Sequence, residues 1–138
     1  MPAAGIALSP WTDLKLSGES HRTRAKAAID PPGMSAVCRQ YYLGENDPGN
    51  PYISPLYGDL RGLPPLLTDV GDDEMLRDDS ILFAEKARAA GVDVTLNVAK
   101  GQVHCYPLLP DFIPESRLAM AEICAFIRRH IRVTVEPV

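Results

Sequence analysis

The sequence lacks the features of a secreted, membrane-spanning or nucleic-acid-binding protein. Its three cysteines are odd in number and include no C-x-x-C pair, which argues against a disulfide framework or a zinc site. No apolar run approaches the roughly 20 residues that a membrane helix needs. The net charge is −4 and there is no basic stripe, so neither a nucleic acid nor an anionic membrane surface is an expected partner.

The N-terminus also lacks an export signal. Met1-Pro2-Ala3-Ala4-Gly5 has no charged segment followed by an apolar signal core. Together with the unpaired cysteines, this predicts a cytoplasmic protein. The length of 138 residues suits about one domain, and 46% apolar and 23% charged residues are ordinary for a globular protein.

The apolar pattern alternates between strands and helices along the chain. It predicts strands over 5–9, 64–71 and 92–98, and helices over 34–43, about 77–90 and 114–131. Residues 11–33 are polar and predicted to be irregular. Strands that alternate with helices indicate an α/β fold with a parallel sheet, whose sites form beyond the carboxyl ends of the strands.

Two proton-handling side chains follow consecutive predicted strands. Glu74 comes just after the second strand and His104 just after the third, 30 residues later. Because neighbouring parallel strands end at the same edge, we expect these side chains to meet there. A carboxylate that orients an imidazole is two thirds of a nucleophile–base–acid triad.

The nucleophile of such a triad is missing from the sequence, which contains no G-x-S-x-G motif. Cys105 is adjacent to His104, but neighbouring side chains rarely point at each other, so we expect a bystander thiol. Ser9 precedes a proline and is expected only to form a turn. His21 lies in polar surroundings and is given no role.

Several segments resemble, in order, the sequence blocks of the hormone-sensitive-lipase-like esterases, an α/β-hydrolase family. They are Ala7–Leu14 (which contains Ser-Pro-Trp-Thr-Asp-Leu), Ser54–Leu60, Gly62–Leu67, Val70–Ser80, Ala89–Val94 and Gly101–His104. The similarity covers about residues 3–131, which is nearly the whole chain.

The resemblance implies a partial α/β-hydrolase fold, with three C-terminal parallel strands and flanking helices. Residues 1–138 would be the C-terminal part of the domain, without the nucleophile and the oxyanion-hole half. The triad acid carries over to Glu74, with Asp72 and Asp73 as alternatives, and the histidine to His104. The implied activity is hydrolysis of small carboxylic esters, with no cofactor and no metal. Because the nucleophile is missing, we expect residues 1–138 alone to be inactive.

A second interpretation is a non-catalytic module, or one half of a split assembly. The first predicted strand begins almost at the N-terminus, so the segment Ile6–Leu8 would present an unpaired edge. This predicts self-association or pairing with a missing N-terminal half.

Overall fold

The computed structural model describes residues 1–24 and 33–131. In that part of the chain, the elements in order are β1 (Gly5–Leu8), α1 (Ser20–Thr23), α2 (Met34–Leu43), β2 (Leu66–Gly71), α3 (Arg77–Ala89), β3 (Val94–Ala99) and α4 (Pro114–His130), with 3-10 turns at Pro55–Tyr57 and Tyr106–Leu108. None of the described helices is both long and apolar enough to cross a membrane.

The three strands form one parallel sheet in the order β1-β2-β3. Leu8 of β1 pairs with Asp69 of β2, which in turn pairs with Asn97 of β3. The sheet confirms the predicted α/β fold with parallel strands, and β3 lies at one edge of it. The shared direction brings the carboxyl ends of β2 and β3 to one side.

Helices cover both faces of the sheet. Successive residues of a strand point to opposite faces. Leu66 packs with Ala87 of α3, whereas Leu67 packs with Ile123 and Phe126 of α4. The sheet therefore lies between α3 and α4.

The buried face of α4 is only in part the predicted one. The sequence predicts an apolar stripe at helical spacing, made of Met120, Ile123, Cys124, Ile127 and Ile131. Ile123 is buried as predicted, whereas Met120, Ile127 and Ile131 are exposed. The face that packs is made of Ser116, Ala119, Ile123 and Phe126. The small residues in this set let α4 approach the sheet closely, and a pattern search that counts only large apolar residues misses them.

The segment before residue 25 is more ordered than its polar sequence predicted. Part of the predicted irregular region, residues 25–32, lies outside the described residues. Before it, Ser20 donates its hydroxyl to the Met75 carbonyl and accepts the Asp78 N–H, at 2.6 and 3.1 Å. These contacts fasten α1 to the beginning of α3.

Candidate active site

Glu74 lies in the turn between β2 and α3, with its side chain 1% exposed. Its Oε1 accepts the Gly71 N–H at 2.8 Å and the Ser9 hydroxyl at 2.6 Å. Its Oε2 contacts His104 Nδ1 at 2.8 Å. Three donors therefore surround one buried carboxylate, which offsets the cost of removing its charge from water.

His104 lies in the loop after β3, and its side chain is 40% exposed. When Nδ1–H donates to Glu74, the other ring nitrogen, Nε2, carries the lone pair and faces away from the carboxylate. An imidazole held in this tautomer can take a proton at Nε2 while the carboxylate stabilises the resulting imidazolium. The structure thus brings together the two residues that the strand ends predicted.

The two alternative acids are bonded elsewhere. Asp72 accepts the Gly101 N–H through Oδ1. Asp73 Oδ1 contacts Arg24 Nη1 at 3.0 Å. Among the three consecutive carboxylates, Glu74 is the one whose oxygen reaches the imidazole.

Ser9 has a larger role than the turn formation expected from its sequence. Its hydroxyl donates to Glu74 and accepts the Cys105 N–H at 2.9 Å, so it bridges the acid and the histidine loop. Ser9 is buried and has a left-handed backbone with φ of 45°. Its place at the carboxyl end of β1 was the available signal, because β1 and β2 end at the same edge.

Cys105 also departs from expectation. Its Sγ lies 3.4 Å from His104 Nε2, although neighbouring side chains were expected to diverge. The reason is the left-handed backbone at Cys105, with φ of 52°, which turns the chain so that the two side chains converge. The expectation of a bystander thiol was wrong in its geometry.

The histidine loop is anchored to β2 on its far side by Tyr106. The Tyr106 hydroxyl donates to Asp69 Oδ1 at 3.1 Å, and Asn97 Nδ2 donates to the same oxygen at 2.9 Å. Burial raises the pKa of Asp69, while the two hydrogen bonds lower it and the charge of Glu122 raises it. The buried carboxylate of Asp69 therefore holds Tyr106, and with it the segment that follows His104, against β2.

Gly71 lets the same loop approach the end of β2. A Cβ at Gly71 would collide with the backbone carbonyl of Gln102, which cannot rotate away as a side chain can. We expect Gly71→Ala to push the Gln102–His104 segment outward and to lower the free energy of unfolding by about 1–3 kcal/mol, as overpacking does. Urea unfolding and the NMR shifts of His104 would measure both effects.

Gly5→Ala is the matched control for that substitution. Gly5 also lies in the sheet, but its added Cβ would meet Leu66 Cδ2 at 2.7 Å, the far end of a flexible side chain. We expect a smaller loss and unchanged His104 shifts. Equal losses in the two variants, with His104 undisturbed in both, would contradict the close-approach role of Gly71.

A second histidine–carboxylate pair was missed from the sequence. His21 Nε2 lies 2.6 Å from Asp79 Oδ1, and both side chains are buried. Asp79 Oδ2 also accepts the N–H groups of Thr12 and Asp13, at 2.9 and 2.8 Å. This buried cluster holds the chain that follows Ser9 against α3, and it therefore helps to fix the position of Ser9 beside Glu74.

Comparisons with known proteins give one consistent result. Residues 1–108 match the family described as the alpha/beta hydrolase fold. An acetyl-hydrolase of Streptomyces hygroscopicus is 38% identical over 130 residues, covering 93% of this chain and 43% of the relative. An esterase of Acinetobacter venetianus is 38% identical over 128 residues, covering 91% of this chain and 42% of the relative.

Solved structures agree with these relatives. An esterase of the bacterial hormone-sensitive lipase family superposes with a TM-score of 0.89 and 41% identity, over 96% of this chain and 45% of that one. A hormone-sensitive lipase from a metagenome library gives 0.89 and 38%, over 95% and 45%. The chain thus spans less than half the length of the relatives that it matches.

Proposed function

The chain belongs to the α/β-hydrolase family, as its resemblance to hormone-sensitive-lipase-like esterases predicted, and from this premise we propose that it supplies the acid and the histidine of a serine-type carboxylic ester hydrolase. The observation that carries the proposal is the 2.8 Å contact between Glu74 Oε2 and His104 Nδ1 at the carboxyl edge of the sheet. The names of its relatives, acetyl-hydrolase and esterase, support the reaction class.

In this proposal the attacking serine lies outside residues 1–138, because the sequence contains no G-x-S-x-G motif. The serine oxygen attacks the ester carbonyl while His104 Nε2 takes its proton, and the imidazolium then gives that proton to the leaving alcohol. Glu74 fixes the tautomer and stabilises the imidazolium. The substrate class is a small carboxylic ester, and the reaction as written uses no cofactor.

Residues 1–138 are, in the same proposal, the C-terminal part of the hydrolase domain. The order acid then histidine, both following consecutive strands, is the order in which α/β-hydrolases place these residues after their serine. The chain spans 42–43% of its curated relatives, which leaves room in them for the strands that carry a serine turn and an oxyanion hole.

A chimera tests the proposal. Replacing the aligned 128 residues of the Acinetobacter venetianus esterase by this chain would restore a serine turn to the sheet. We expect hydrolysis of p-nitrophenyl butyrate, and a fall in kcat/KM of at least about 10³-fold in His104→Ala. His130→Ala, at the end of α4, is the control. A folded chimera that keeps its activity without His104 would refute the assignment.

A second candidate function, one half of a split assembly, is favoured by the open side of β1. Gly5 and Ser9 donate their N–H groups to the carbonyls of Pro65 and Asp69, so the N–H of Ile6 between them points away from β2. No strand among the described residues pairs with that side of β1. Beside it, a cavity of about 280 Å³ is lined mostly by apolar side chains, including Ile6, Phe126 and Ile127. An unpaired edge next to apolar side chains suits the addition of a strand.

If β1 pairs with another strand, Ile6→Lys should weaken the association. A charged side chain at this position would have to be desolvated against the partner. We expect wild-type chain to sediment as an oligomer and Ile6→Lys to shift it toward monomer. Leu82→Lys is the matched control, because Leu82 on α3 is 37% exposed and Ile6 is 38% exposed. A wild-type monomer, or an equal shift in both variants, would count against pairing at β1.

A further inference from the structure

We propose that Cys105 is an acyl acceptor in its own right, with Cys105, His104 and Glu74 forming a nucleophile–base–acid set within this chain. The inference rests on the proposed roles of His104 as a base and Glu74 as its partner. The new element is the Cys105 thiol as the nucleophile, and its substrates are short acyl esters with a good leaving group.

The geometry is a continuous chain of contacts. Cys105 Sγ lies 3.4 Å from His104 Nε2, and His104 Nδ1 lies 2.8 Å from Glu74 Oε2. With Nδ1–H donated to the carboxylate, the lone pair of Nε2 faces the thiol, which is the tautomer that a general base needs. Both Cys105 and His104 are partly exposed to solvent.

The left-handed backbone of Cys105 makes this contact possible. Two hydrogen bonds, one from the backbone and one from the side chain, hold Cys105 in place. The Cys105 N–H donates to Ser9 Oγ at 2.9 Å, and the thiol donates to the Leu8 carbonyl at 3.6 Å. Rotation of the S–H bond turns the thiol proton from Leu8 to His104 Nε2, 3.4 Å away, for the transfer. Two of the three non-glycine residues with positive φ in the described chain, Ser9 and Cys105, are thus bonded to each other beside the acid. Strained backbone of this kind clusters at functional sites.

The thiol must react as a neutral group. Burial raises the pKa of Cys105, the hydrogen bond with Ser9 lowers it, and the charge of Glu74 raises it. Because the pKa of the thiol is raised overall, the step is written with the thiol proton moving during the attack. Sγ bonds to the carbonyl carbon as its proton passes to Nε2, the C–O bond of the ester breaks, and the proton then leaves with the alcohol.

The same contacts limit the substrates. The Cys105 N–H is already bonded to Ser9, so it is not available to stabilise an oxyanion. Acyl transfer then depends on the leaving group, which favours aryl esters such as p-nitrophenyl acetate over alkyl esters. The product is a thioester on Cys105, which water can hydrolyse with His104 again acting as the base.

Cysteine mapping after exposure to p-nitrophenyl acetate tests the inference on the full chain. Cys38 is an internal reference, because it is exposed and the structure records no histidine contact for it within the described residues. Exposure alone predicts that Cys38 is acetylated first. We expect Cys105 to be acetylated at least about tenfold faster than Cys38, since general-base assistance commonly contributes more than that.

His104→Gln separates assistance from access. We expect it to lower Cys105 acetylation to about the Cys38 rate while leaving Cys38 unchanged. Preferential labelling of Cys38 in the wild-type chain would overturn the inference, and this measurement does not depend on the folding of any variant. Labelling of Cys105 at an unchanged rate in His104→Gln would also overturn it. If Cys105 is not acetylated but the chimera hydrolyses esters, only this inference is refuted. If the chimera keeps its activity in His104→Ala, the proposed function is refuted.

Discussion

Glu74→Gln in the chimeric esterase is expected to lower kcat/KM by about 10²- to 10⁴-fold. Glu74 accepts three hydrogen bonds, from Gly71, Ser9 and His104. A glutamine offers one acceptor oxygen and an NH₂ group, so at least one of those donors would face another donor. If the amide NH₂ faces the ring, His104 must present an unprotonated Nδ1, and Nε2 then carries the proton and cannot act as the base.

Asp73→Asn is the matched control. Asp73 is the neighbouring carboxylate, and it contacts Arg24 instead of the imidazole. We expect kcat/KM within about threefold of the parent, because a partly exposed ion pair contributes little. Nitrogen shifts of His104 would check the tautomer directly. Equal losses in the two variants, or a Glu74→Gln enzyme with normal activity and an unchanged tautomer, would contradict the assignment of the acid.

The contact between Glu74 and His104 could be predicted because it depends on topology. Alternating strands and helices indicate parallel strands, and residues just beyond two adjacent carboxyl ends must be close. The choice of Glu74 came from the resemblance to the esterase family, which left Asp72 and Asp73 as alternatives. In the structure the choice follows from where each oxygen points, since Asp72 faces Gly101 and Asp73 faces Arg24.

The end of β1 places Ser9 at the same sheet edge as Glu74, but the contacts of the Ser9 and Cys105 side chains could not be predicted, because they depend on backbone dihedral angles. Both residues adopt a positive φ, which residues other than glycine seldom do. No pattern in the neighbouring sequence predicts this conformation at either position. Ser9 meets Cys105 across 96 positions of sequence, so only the packed sheet brings them together. His21 was missed for a related reason, because its partner Asp79 lies 58 positions away and a polar neighbourhood in sequence says little about burial.

Asp79→Ala is expected to lower the free energy of unfolding by about 3–5 kcal/mol, the range for removing one partner of a buried charged cluster. Asp79 is fully buried and accepts the N–H groups of Thr12 and Asp13 on one oxygen and contacts His21 on the other. Alanine leaves these donors buried, and each unsatisfied donor is costly. Urea denaturation would show the loss as a lower midpoint with an unchanged slope.

Two further variants decide whether the loss comes from those donors. In Asp79→Asn, the amide oxygen can still accept both backbone N–H groups and its NH₂ can donate to neutral His21, so we expect less than half the loss of Asp79→Ala. Asp59→Ala removes a carboxylate of the exposed pair with Arg61, and we expect no measurable shift in its midpoint. Because the cluster holds the chain directly after Ser9, Asp79→Ala should also disturb the His104 resonances, which Asp59→Ala should leave in place. A large loss in Asp79→Ala with unperturbed His104 would mean that the cluster stabilises the fold without positioning the site.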